Sequence, residues 1–219
     1  TALKTGERRF GELLVRYGKP QVLDAIRNIM DQSEAAARAR TRSIPDGVYQ
    51  AESFMDDDGV DIGKRIPIRV RVIKRGDEMT IDLTEVSAQV RGGFNAAATT
   101  GHGCAQVAYK CLTSPTDYPI NEGSFRALKV VMTPGTVVSA VRPAAMRTWM
   151  SFPMTVCDTI LRAMEQAVPD RTIAAHHADL LVGIFNGISP RDGRFYLGDL
   201  GPTIGEAYAS GHGDGIADD

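Results

Sequence analysis

Several short stretches of this sequence place polar or ionisable side chains where they could do chemistry. In His176-His177-Ala178-Asp179, an extended backbone puts His177 and Asp179 on one face. That is the arrangement of a general acid/base pair, or of two metal ligands. Two ligands alone do not hold a metal, and no further histidine lies nearby in sequence, so a hydrogen-bonded structural role is the alternative. His102, between Gly101 and Gly103, stands at the predicted start of a helix, where free backbone amides suit an anion. A plain turn into the helix is the simpler reading. Gly92-Gly93-Phe94-Asn95 and Asn121-Glu122-Gly123 set Asn95, Asn121 and Glu122 beside glycine. A missing β-carbon lets a ligand or another backbone come close, and asparagine offers both donor and acceptor. Each stretch is equally a turn.

Other constellations exclude more than they suggest. Asp56, Asp57, Asp58 and Asp61 crowd one loop, but a calcium loop needs glycine at its sixth position and glutamate at its twelfth. Here Gly59 comes too early and Pro67 stands where the glutamate belongs, so the cluster reads as a solvated turn. Gly211-x-Gly213-x-Gly215 opens no helix and has the wrong spacing for a dinucleotide fingerprint. There is no Walker loop, GxSxG or HExxH. Cys104, Cys111 and Cys157 include no CxxC pair and are odd in number, which fits a reducing compartment better than a disulfide framework.

The elements that must position these groups follow from periodicity. Leu13, Leu14 and Tyr17 form a helical stripe that Gly18 ends; after Pro20, Val22, Leu23, Ile26, Ile29 and Met30 recur at helical spacing towards an arginine-rich last turn. Pro45-Asp46-Gly47 then turns the chain, and strands are predicted over 48–54, 66–72 and 79–83. In the second of these, Ile66, Ile68, Val70 and Val72 alternate with Pro67, Arg69 and Arg71. Arg75-Gly76-Asp77 reads as a hairpin turn. A helix is predicted near 96–113 with Cys104 and Cys111 on one face, then strands over 128–132 and 137–141, a helix over 154–168, and strands over 180–185 and 195–197. Helices mix with antiparallel hairpins without βαβ regularity, which predicts an α+β fold. The domain reading is a helical segment over 1–45, suited to a partner or inter-domain contact, and an α+β body over 46–219.

The bulk numbers are ordinary for 219 residues at 43% hydrophobic: a real core, and one or two domains. A net charge of −2 gives no field for nucleic acid or an anionic membrane, although residues 1–45 carry nine Lys/Arg against five Asp/Glu. No stretch approaches the length of a membrane helix and no signal peptide opens the chain, so a cytoplasmic location is expected. Both ends read as cut from something longer.

The order of the segments resembles the family of hydantoinase B, 5-oxoprolinase and the acetone and acetophenone carboxylase α-subunits. The resemblance is carried by Arg8-Arg9-Phe10-Gly11-Glu12-Leu13, Arg16-Tyr17-Gly18 and Ile44-Pro45-Asp46-Gly47-Val48-Tyr49. Ile81-Asp82-Leu83-Thr84, Gln89 to Asn95, Pro119 to Arg126 and Pro134-Gly135-Thr136 continue it. Trp149 to Thr155 and His176 to Asp179 look more like the ketone carboxylases than like the hydantoinases. The resemblance implies an interior-to-C-terminal part of a subunit in an ATP-dependent hetero-oligomer. Its partner would be a hydantoinase A-like subunit that binds ATP and Mg and phosphorylates the substrate, an enolised ketone or a cyclic amide. The divalent metal of the family is expected in a region preceding Thr1. The expected roles are acid/base for His177 with Asp179, and substrate-side contact for Asn95, His102, Asn121 and Glu122. Ketone carboxylation is the expected branch, with cyclic-amide hydrolysis as the alternative and the isolated chain inactive in either case. A non-catalytic rival is a scaffold that docks the partner through the basic helices or a strand edge, in which Arg38, Arg40 and Arg42 would matter for assembly.

Overall fold

The computed structural model describes residues 2–113, 120–146, 151–172 and 180–204. The chain opens with two helices, α1 (Ala2–Tyr17) and α2 (Lys19–Arg42), separated by Gly18 at φ 82°. A four-stranded sheet of order β1-β2-β3-β4 follows, made of β1 (Gly47–Met55), β2 (Ile66–Arg75), β3 (Glu78–Asp82) and β4 (Leu128–Val131). Helices α3 (Ala98–Thr113) and α4 (Ser151–Met164) join it, and β5 (Leu180–Ile188) pairs with β6 (Phe195–Ile204) in a separate two-stranded sheet. The architecture is α+β.

The alternation read in the sequence is what builds the sheet. Ile66, Ile68, Val70 and Val72 of β2 are buried, while Arg69 and Arg71 stand on the other face. β1 and β3 flank β2 antiparallel, with Val72 opposite both Tyr49 and Ile81. β4 then pairs parallel to β3, from Met79 opposite Leu128 to Asp82 opposite Val131. A parallel neighbour needs a crossover, and residues 83–127 supply it with α3 inside. Cys104, Ala105, Ala108, Tyr109 and Leu112 of α3 share one core with Val156, Ile160 and Met164 of α4 and the inner face of β2 and β3.

The backbone comes unusually close at one helix face. A β-carbon on Gly101 would lie 2.7 Å from the Val138 carbonyl oxygen, whereas one on Gly103 would meet nothing within 4 Å. Gly101→Ala is therefore expected to destabilise the protein by about 1–3 kcal/mol through overpacking. Gly103→Ala should stabilise it by up to about 1 kcal/mol through helix propensity. Urea unfolding of the two variants checks the opposite signs.

Three expectations differ in detail from the structure. Residues 137–141 are not a strand: Val137 and Val138 are fully buried, but the backbone turns at once, with Ser139 N–H donating to Thr136 O and Val137 N–H to Ser87 O. The strand expected over 180–185 runs further: Asn186 and Gly187 continue β5, opposite Leu197 and Tyr196, and the turn falls at 189–194. Cys111 does not share the inward face of Cys104, which is buried, but is exposed. The inward stripe of α3 centres on Gly101, Ala105, Ala108 and Leu112, with Cys104 at its rim. Seven residues of a 3.6-residue helix drift about 20°, which carries Cys111 over that rim.

The two opening helices differ in how they are held. None of α1 is buried, and Leu3 is 90% exposed. α2 buries Ser33, Ala37 and Thr41, and the Thr41 hydroxyl meets the Tyr109 hydroxyl at 2.9 Å inside the core. Arg38 and Arg42 in its last turns both bind Asp77 on the β2–β3 turn, at 3.1 and 2.6 Å. Those arginines therefore anchor α2 to the sheet. Among the described residues no helix is long and apolar enough to cross a membrane.

Candidate functional site

Three connections meet at one end of the sheet: 56–65 between β1 and β2, 83–96 after β3, and 132–146 after β4. The acidic turn and the Gly-Asn bend lock together there. Asp58 is 3% exposed, and its carboxylate accepts N–H bonds from Val60 (2.9 Å), Asp61 (2.6 Å) and Gly92 (2.8 Å). The Asp61 and Gly92 donors hold its carboxyl down at about 2. Asp57 accepts from Gly63 and Gly59, which lower its carboxyl too. The expected solvated turn is thus corrected: these two carboxylates are loop braces, because their lone pairs satisfy backbone amides that a tight turn leaves without ladder partners.

The bend itself is packed against that turn. A β-carbon on Gly92 would sit 2.8 Å from the Asp58 carbonyl carbon, closer than a real side chain tolerates. Asn95, fully buried, accepts from Val90 N–H at 2.8 Å. Its Nδ2 lies 2.9 Å from Val90 O, 3.0 Å from Gly92 O and 2.9 Å from Ala145 O. Gln89 adds a tie to the third loop, accepting from Val141 N–H at 2.9 Å. Asn95 therefore spends its amide on holding the bend.

Two concave surfaces border this region. A recess of about 230 Å³ lies between the acidic turn and the bend, lined by Asp61, Lys64, Arg65, Ser87, Gln89 and Arg91 among others. A second groove, of about 260 Å³, runs along the face of the sheet that bears Arg69 and Arg71. There Arg69 pairs with Glu52 at 2.6 Å and Arg71 with Asp82. Burial pushes the Asp82 carboxyl up, but the Thr84 hydroxyl at 2.6 Å and the Arg71 guanidinium outweigh it and hold the carboxyl below its usual range.

The other sequence-derived candidates do not converge on these surfaces. Asn121 and Glu122 lie against α2: Asn121 Nδ2 donates to Ser33 Oγ at 2.7 Å and its Oδ1 accepts from Gly123 N–H at 2.9 Å, while Glu122 is exposed. His102 is exposed, but it sits in the second turn of α3 rather than at its start, where its amide belongs to the helical ladder. His176, His177 and Asp179 lie outside the described residues. The sequence reading passed over Lys64, Arg65 and Ser87. Their one signal was a pair of adjacent cations immediately after the acidic turn. Among the described residues no three His, Cys, Asp or Glu side chains gather as a metal-ligand set. The described residues therefore do not fit a metal.

Residues 1–218 match the family described as hydantoinase B/oxoprolinase. The chain is 29% identical to the B subunit of a putative D-/L-hydantoinase of Pseudomonas sp. (strain NS671), over 98% of this chain and 38% of that one. It is 34% identical to the beta subunit of the caprolactamase of Pseudomonas jessenii, over 80% of this chain and 30% of that one. The crystal structure of the ATP-dependent caprolactamase from that organism superposes with a TM-score of 0.79 at 30% identity, covering 89% of this chain and 33% of the other. A shorter match, 32% over 88 residues, joins 40% of this chain to 13% of the acetophenone carboxylase delta subunit of Aromatoleum aromaticum (strain DSM 19018 / LMG 30748 / EbN1). The chain spans about a third of the length of the first two relatives.

Proposed function

The chain belongs to the hydantoinase B/oxoprolinase family, and from that premise we propose that it forms part of a subunit of an ATP-dependent multisubunit enzyme that opens cyclic amides. The observation that carries this reading is the likeness to caprolactamase, in sequence over 80% of the chain and in fold at 30% identity. The chemistry gives ATP a clear purpose. An amide carbonyl is a poor electrophile because nitrogen donates into it. Phosphorylating the amide oxygen turns the group into a C=N imidate bearing an electron-withdrawing phosphate, whose ring carbon is open to water. The ring C–N bond then breaks as nitrogen takes a proton, and a second water releases phosphate from the acyl phosphate. ATP and Mg belong, in this proposal, to a hydantoinase A-like partner subunit, and the present chain contributes walls that hold the activated ring.

Within the chain, His177 with Asp179 is the proposed acid/base pair, and the exposed His102 and Glu122 are proposed substrate-side contacts. Asn95 and Asn121 would act on substrate indirectly, by fixing the loops they brace. Ketone carboxylation is the second reading. It is supported by the match to the acetophenone carboxylase delta subunit and by the Trp149–Thr155 and His176–Asp179 stretches.

One assay separates the two. The complete complex is expected to convert a lactam or hydantoin to its open amino acid only when ATP is present, without bicarbonate. ATP-dependent incorporation of labelled bicarbonate into a ketone, with no ring opening, would overturn the first reading in favour of the second. The isolated 219-residue chain should show neither activity.

A further inference from the structure

We propose that the recess between the acidic turn and residues 87–91 is a binding site for a small oxyanion, a phosphate or carboxylate group. Its lining has more uncommitted donors than acceptors. The Asp58 carboxylate accepts from three backbone N–H groups, Asp61 Oδ1 is bound by Arg91 at 2.8 Å, and Gln89 Oε1 accepts from Val141 N–H. Among the described residues, the Lys64 ammonium and the Ser87 hydroxyl have no hydrogen-bond partner. Arg65 has its guanidinium over the Phe54 ring at 4.0 Å, which leaves its in-plane N–H donors unspent. The Gln89 amide N–H₂ group likewise has no partner among the described residues.

That asymmetry decides the ligand class. A cation would meet three positive side chains, Lys64, Arg65 and Arg91, against two carboxylates that already hold hydrogen bonds. A neutral molecule would leave most of the donors unmatched. An oxyanion accepts from several at once, and bonds between ionised partners are about twice as strong as neutral ones. At about 230 Å³ the recess suits a molecule of a few heavy atoms. The braces around Asp58 and Asn95 hold its walls before any ligand arrives, so little ordering cost falls on binding. Which oxyanion it holds in the cell rests on the reading above: if ring amides are activated by phosphorylation, the phosphate ester of the substrate is the anion of that class.

Calorimetric titration of the protein at fixed ionic strength tests the site, with inorganic phosphate, methyl phosphate and acetate as probes. Millimolar binding of at least one is expected, with no heat from a neutral lactam. Lys64→Ala and Arg65→Ala should each weaken it about tenfold, as loss of one charge-assisted donor predicts. Arg65→Lys, which keeps the charge, should weaken it less. Both side chains are exposed, so circular dichroism of the variants should match the parent protein. Methyl phosphate binding as tightly as inorganic phosphate assigns the site to an ester; inorganic phosphate binding alone assigns it to the free ion. No binding of any probe, or affinity unchanged in both alanine variants, overturns the proposal. This outcome is separate from the ring-opening assay: absent turnover with intact anion binding would sink the reaction and leave the site.

Discussion

Asn95→Ala is expected to lower the stability of the protein by about 3 kcal/mol or more. The substitution strips the Val90 N–H of its acceptor and three carbonyls of a shared donor, in a position fully closed to water. Each buried group left unpaired costs about 1–3 kcal/mol. Asn95→Asp should be worse at neutral pH. It keeps the acceptor for Val90 but turns a carboxylate oxygen towards three carbonyl oxygens, with no cation among its hydrogen-bond partners to offset the charge. Urea unfolding midpoints in the order Asn, Ala, Asp would bear this out. Unchanged midpoints with a selective loss of substrate binding would instead make Asn95 a ligand contact.

Gly123→Ala carries the second large effect, at the far side of the molecule. A β-carbon there would lie 2.7 Å from the Met30 carbonyl carbon, so the short 3₁₀ turn Glu122–Phe125 and α2 cannot both keep their places. The contact is clamped on either side. Asn121 binds Ser33, and Arg126 binds Asp31 at 2.8 Å and Glu34 at 2.9 Å. Backbone meeting backbone cannot be relieved by a rotamer change, and a loss of about 3 kcal/mol is expected. Hydrogen exchange should show α2 losing protection before the sheet does. Glu122→Ala, one residue away and exposed, should change stability by no more than about 0.5 kcal/mol. Any activity it loses in the complete complex would then come from substrate-side chemistry rather than folding.

The sheet was legible in the sequence because its signal is local. Ile66 to Val72 announce one dry and one wet face by alternation alone, and the Arg75-Gly76-Asp77 turn fixes their neighbour. Val137 and Val138 are an apolar β-branched pair that also suggests a strand, but their burial comes from loops reaching them from residues 87 and 96, not from a ladder. Cys111 misled for a related reason. Heptad spacing says which residues are near one face, but only the packed partner sets where the face ends.

The braces of the candidate site were illegible on different grounds. Asp58 and Gly92 are 34 residues apart, and nothing in either stretch names the other. Composition could show an acidic turn and a glycine-rich bend, each with more polar groups than a bland turn requires. It could not show that one braces the other, or that the pairing leaves Lys64, Arg65 and Ser87 around a recess. The family resemblance reached further, because it depends on the order of many weak segments rather than on the geometry of any one of them.

The parallel pairing of β4 with β3 also has a kinetic meaning. β1, β2 and β3 are sequence neighbours and can zip together as soon as they exist, whereas β4 must wait for residues 83–127 to fold α3 over the core. Until it arrives, the growing polypeptide carries a raw β3 edge ending in Ile81 and Asp82. That interval is when a newly made chain is most open to capture by a strand from another molecule.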